Sequence, residues 1–186
     1  MKGLILIGGR STRMGQDKSL LDYHGKTQRE YLCELLKRYC TEVYFSCRAD
    51  QSEQISKSKI IDYQEIGPIG GILSAFDFDD TTDWLIVACD MPLVNEGVIQ
   101  ELINHFEASD KTTAFLNPEN NFPEPLLTIY RRGSRIPIKS FIESQQKSPM
   151  YYLKSIDIQL VKSDEYSFLK NINTPEDYKK MLNAQS

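Results

Sequence analysis

Residues 83–90 read DWLIVACD, an apolar run with no polar position inside it, closed by an acid. A strand of this kind is stable where both of its faces are covered, as inside a parallel sheet. KGLILI (2–7) has the same character and ends at Gly8 and Gly9. Segments of helical period stand between such runs. Thr27 to Tyr39 places Tyr31, Leu32, Leu35, Leu36 and Tyr39 on one stripe. GPIGGILSAF (67–76) opens a helix with Pro68 in its first turn, and a third helix runs from Glu96 to Phe106. Val43–Cys47 and KSKIIDY (57–63) supply further strands. Strands and helices in turn, joined by short connections, predict a three-layer α/β fold with a mainly parallel central sheet.

The second half is less regular. TTAFLN (112–117) and PLLTIYR (125–131) read as strands around a polar turn, PENNFPE. Helices are expected over Ser134 to Gln146 and Pro149 to Ile156, then a last strand, IQLVK (158–162). NTPEDYKKML reads as a final helix, with Thr174 as cap, Pro175 at the first position, and Glu176 and Asp177 facing the positive end of the dipole. A length of 186 residues suits one domain over 1–186 with a core that needs no disulfides. The net charge of −4 speaks against general nucleic-acid binding. The apolar start is too short for a secretory signal or a membrane span, so a cytoplasmic protein with no membrane partner is expected. Cys33, Cys40, Cys47 and Cys89 form no C-x-x-C pair, and with only His24 and His105 beside them they read as reduced, mostly buried thiols.

Residues 8–18 follow the first strand and must cross the carboxyl edge of the sheet, where open α/β folds bind ligands. There Gly8, Gly9 and Gly15 allow tight turns with amides facing an anion, while Arg10, Arg13 and Lys18 bring charge to it. The segment suits a polyphosphate; an ordinary solvated loop is the alternative. It is not a P-loop, because Leu20 stands where the glycine before GKT (25–27) would be, and Arg10 breaks the G-x-G-x-x-G spacing. Asp90 leaves its strand on the same edge. It suits Mg²⁺, which favours one or two carboxylates plus substrate phosphates, or else an Asx-turn or a cap on the next helix.

These motifs together resemble the molybdenum cofactor guanylyltransferase family. LIGGRSTRMGQDKSLL is similar to that family's L-A-G-G-x-S-x-R-M-G-x-D-K; GPIGGILSAF, CDMP, FPEPLLTIYR and FLKNINTPEDY resemble its later segments, in family order from residue 4 to 178. The resemblance implies a Rossmann-like nucleotidyltransferase fold and transfer of GMP from GTP, with Mg²⁺, to the terminal phosphate of molybdopterin, with loss of pyrophosphate. It implies that Leu6, Ile7, Gly8 and Gly9 meet the nucleotide through their backbone, that Lys18 and Arg13 meet its phosphates, that Asp62 contacts it, and that Asp90 binds both metal and nucleotide. Asn171, Asn173, Tyr130, Arg131 and the 117–125 insert match segments near the pterin side. For the asparagines, local hydrogen bonds ahead of the Thr174 cap are the competing account, and for Tyr130 it is a place in the strand core.

Two departures stand out. Ile7 replaces an alanine, and Ser46 stands where many members place an asparagine that touches the nucleotide, which bears on base preference. Guanine could be read by backbone carbonyls near Leu6 and Ile7. Other outcomes are a transferase using CTP on the same pterin or activating a sugar phosphate, and a non-catalytic nucleotide-binding adaptor. Molybdoenzyme apoproteins and cofactor chaperones are the protein partners such an enzyme would meet.

Overall fold

Among the described residues, seven strands form one sheet in the order β3-β2-β1-β4-β6-β5-β7. The computed structural model describes residues 1–7, 17–55, 58–172, 174 and 177. The strands are β1 (Lys2–Leu6), β2 (Val43–Cys47), β3 (Lys59–Ile61), β4 (Trp84–Ala88), β5 (Thr112–Asn117), β6 (Phe122–Tyr130) and β7 (Ile158–Val161). The helices are α1 (Gln28–Leu36), α2 (Pro68–Phe78), α3 (Glu96–Glu107), α4 (Arg135–Glu143) and α5 (Pro149–Ser155). All pairings are parallel except those of β6, which runs antiparallel to both β4 and β5.

The alternation of β1 and β4 sends apolar side chains to both faces, so the sheet carries two cores. Ile5, Leu85 and Val87 pack with Leu32, Leu35 and Leu36 of α1 and with Ile99 and Leu102 of α3. Leu4, Trp84 and Ile86 pack with Ile69, Ile72 and Phe76 of α2, Ile138 of α4 and Leu153 of α5. This is the expected three-layer α/β/α arrangement. Strand order reverses between β1 and β4, because β2 and β3 lie on one side of β1 and β4 on the other. At such a reversal the loops leaving two adjacent strands part, and a crevice opens at the carboxyl edge.

The second half departs from the expected pattern at the insert. Only 118–121 form the turn, with Asn117 and Asn120 side chains accepting from Glu119 and Phe122 amides. Asn121 adopts a left-handed φ of 59°, which its short polar side chain tolerates. Phe122 and Pro123 then pair back onto Asn117 and Leu116, because an antiparallel hairpin extends as far as its backbone groups can meet. The final helix lies largely outside the described residues, but its cap is present: Thr174 Oγ1 accepts from Asp177 N (3.1 Å) and Asp177 Oδ2 from Thr174 N (3.0 Å).

Candidate active site

A cleft of ≈ 380 Å³ opens at the switch point, bounded by the ends of four strands: Leu6 and Ile7 after β1, Ser46 on β2, Asp62 after β3, and Ala88, Cys89 and Asp90 after β4. Lys18 closes one side. The structure thus brings together Leu6, Ile7, Lys18, Ser46, Asp62 and Asp90 from distant parts of the chain. Gly8, Gly9, Arg10, Arg13, Gly15 and Asn173 lie outside the described residues. Asn171 is exposed and does not line the cleft.

Lys18 is held by a local device. Asp17 Oδ1 accepts from Ser19 N at 2.9 Å and its carbonyl from Leu20 N at 3.1 Å, winding Lys18–Leu20 into a single 3₁₀ turn directly after the glycine loop. Asp90 is held through its own and its neighbours' carbonyls. Ile172 N donates to Asp90 O (2.9 Å), Gln28 Nε2 to Met91 O (3.4 Å) and Tyr31 Oη to Val94 O (3.1 Å). His24 Nε2 lies 2.9 Å from Pro92 O, which can only accept, so that nitrogen carries the proton. His24 also stacks on Tyr31, with ring centroids 3.8 Å apart.

The carboxyl of Asp90 is treated differently from its carbonyl. Among the described residues, the buried Oδ1 has no hydrogen-bond partner. Burial pushes the carboxyl above its ordinary pKa, while the charge of Lys18 pulls the other way. The helix-cap alternative fails, because Asn95 Oδ1 caps α3 by accepting from Val98 N (3.2 Å). A bare, desolvated carboxylate oxygen beside a lysine is the donor that a hard cation shared with phosphate oxygens would use. Asp62 is also raised by burial, against two backbone bonds, from Gln64 N (2.9 Å) and Glu65 N (3.2 Å).

Glycine shapes the floor. A Cβ on Gly71 would stand 2.6 Å from Ser46 Oγ and 3.1 Å from Leu6 Cδ2, so α2 can seat this close to β1 and β2 only without a side chain there. Gly67 adopts φ 90°, the turn that delivers Pro68 to the first position of α2 and aims the amino end of that helix at the cleft.

Some expectations are corrected. Tyr130 is fully buried and pairs opposite Trp84, at the far end of β4 from Asp90, and Arg131 beside it is engaged by Asp83 and Asp110 and lies over Phe106. Neither reaches the cleft. The Leu6 carbonyl accepts from Cys89 N (3.1 Å), which leaves it one further lone pair. The four thiols are free, as expected, and burial raises that of Cys40 to about 12. Sequence reading missed Arg48 and Glu65, which line the cleft, and did not single out Glu124 within the 117–125 insert, whose carboxyl accepts from Leu126 N. The position of Arg48, two residues past Ser46 on the same edge, was the available signal for it.

The model of the MobA-like NTP transferase domain matches residues 3–156. A molybdenum cofactor biosynthesis bifunctional protein of Synechocystis is 34% identical over 95% of this chain, which spans only 52% of that longer protein. A protein of Halalkalibacterium halodurans, named "Probable molybdenum cofactor guanylyltransferase", is 26% identical over 94% of each chain. Among solved structures, molybdopterin-guanine dinucleotide biosynthesis protein A from Archaeoglobus fulgidus superposes with a TM-score of 0.81, covering 100% of this chain and 98% of its own at 24% identity, a likeness of fold.

Proposed function

The chain belongs to the MobA-like NTP transferase family, and from that premise we propose that it transfers GMP from GTP to the terminal phosphate of molybdopterin, with a divalent cation, Mg²⁺ by preference, and releases pyrophosphate. The names of the Synechocystis and H. halodurans relatives support the substrates. The observation that carries the reading is the unpartnered buried Oδ1 of Asp90 beside Lys18, at the crevice between β1 and β4.

The chemistry sets one phosphate anion on the α-phosphorus of a triphosphate, and repulsion is the obstacle. Little covalent work falls to the protein in phosphoryl-type transfer, so orientation and charge neutralisation provide the catalysis. The cation, when bound, withdraws charge from phosphate oxygens, and Asp90 is the residue that would hold it. Lys18, with Arg13 from the glycine loop, neutralises the charge that gathers on the leaving pyrophosphate. The amino end of α2 adds a favourable dipole to the same cleft. Ser46 and Asp62 orient the nucleoside, and the pterin is met on the side of Asn171, whose neighbour Ile172 donates to Asp90 O.

Incubation with molybdopterin, Mg²⁺ and each of the four nucleoside triphosphates tests this directly. Pyrophosphate and a dinucleotide product with GTP alone are expected. Product with CTP in place of GTP would overturn the base assignment, and nucleotide binding without pyrophosphate would identify an adaptor.

A further inference from the structure

We propose that Glu124 is the second carboxylate of the metal site, acting with Asp90 from the neighbouring strand β6; this rests on the function proposed above. The first support is topological. β4 and β6 pair antiparallel up to Val87 opposite Leu127, and Asp90 and Glu124 lie the same number of residues beyond that pair, on the same end. Leu126, between Leu127 and Glu124, lines the cleft with Ala88 and Asp90.

The second support is a built irregularity. Along β6 the pairing to β5 jumps from Thr128 opposite Ala114 to Pro123 opposite Leu116, so that Glu124, Pro125, Leu126 and Leu127 are crowded against one intervening β5 residue. The extra length is stapled by side chains: Thr128 Oγ1 donates to Glu124 O, and Tyr130 Oη to Pro125 O at 3.0 Å. Bulges of this kind re-aim a side chain beside an active site. Here Leu126 N donates to Glu124 Oε1 at 3.0 Å, which holds the carboxyl at the backbone of a residue that lines the cleft. The motif FPEPLLTIY thereby gains a physical reading, with Tyr130 as the strut that holds the bulge.

The third support is charge. Two carboxylates drawn together at one edge of the sheet repel, and Asp90 Oδ1 is buried with no partner among the described residues. Mg²⁺ and Mn²⁺ are hard cations that settle on one or two carboxylates and leave their other positions to water and phosphate. A cation between Asp90 and Glu124 would relieve the repulsion and satisfy the Asp90 oxygen that lacks a partner.

The test titrates Mn²⁺ onto the full chain, reading free Mn²⁺ by electron paramagnetic resonance, for wild type, Asp90→Asn and Glu124→Gln. Glu124→Gln should weaken binding at least about tenfold, the scale on which loss of even an outer partner weakens metal sites. Wild-type affinity in Glu124→Gln with binding lost in Asp90→Asn would overturn this inference and leave the proposed function standing. Wild-type affinity in Asp90→Asn would contradict the metal site itself. Should Glu124→Gln fail to fold, Glu124→Asp is read instead: weakened binding supports the pairing and unchanged binding overturns it.

Discussion

At Asp90 one residue is used twice, its carbonyl fixed by Ile172 N and its carboxyl oxygen Oδ1 without a partner among the described residues. That division predicts that Asp90→Ala keeps the fold while turnover falls by a factor of about 10² or more, and that Lys18→Ala behaves alike, measured as pyrophosphate release beside a thermal melt. Turnover near wild type in either variant would remove it from the chemistry. Asp90 and Lys18 were legible in the sequence because each sits at the junction of an apolar run and a polar loop, where a charge has few structural uses. Glu124 was not, since its neighbours Asn120, Asn121 and Pro123 gave the whole insert the look of a turn. For Tyr130, which a family-like motif placed near a ligand, the alternative of a place in the strand core holds: it is buried, and its hydroxyl serves the backbone of Pro125.

Among the elements, α2 shows how tightly packing and site are joined. Gly71 faces Ser46 and Leu6 so closely that Gly71→Ala must push the helix or the strands apart. Overpacking of this kind costs about 1–3 kcal/mol. Because Ser46 Oγ is the nearest obstacle, Gly71→Ala combined with Ser46→Ala should recover part of the loss, a non-additivity visible in a double-mutant cycle of urea melts. Strict additivity would mean that the two residues do not touch. The strands and helices of the first half could be read to within a few residues, because each apolar run had a single periodicity. Pairing partners could not: nothing in PLLTIYR announces that β6 runs antiparallel to β4, and the bulge that places Glu124 is a property of two strands in register rather than of one segment.

For the whole molecule, the cleft depends on a frame whose opposite edge is tied by Lys2, on β1. Its Nζ meets Asp79 at 2.8 Å and Glu42 at 3.1 Å, joining the end of α2 to the entrance of β2. The Lys2 hydrogen bond, then Thr81, hold the Asp79 carboxyl at about 2, below its ordinary 3.8. With the folded value lowered, this stabilisation is present above about pH 3.8 and is lost as pH falls through about 2. Asp79→Asn should therefore lower Tm at pH 7 by roughly 2–4 °C, for a partly screened pair worth about 1 kcal/mol. The gap to wild type should close as the melts are repeated down to pH 2; a constant gap would contradict the assignment. The three-layer plan itself was written in the alternation of the sequence, but the convergence of residues 6, 18, 46, 62 and 90 on one crevice depends on strand order, which only the folded chain displays. The most direct measurement is anomalous diffraction from crystals of the full chain grown with Mn²⁺ and a non-hydrolysable GTP analogue. A manganese peak against Asp90, with the triphosphate toward Lys18 and the nucleoside toward Ser46 and Asp62, is the predicted result; a nucleotide bound away from this cleft, or a metal that does not touch Asp90, would contradict the account.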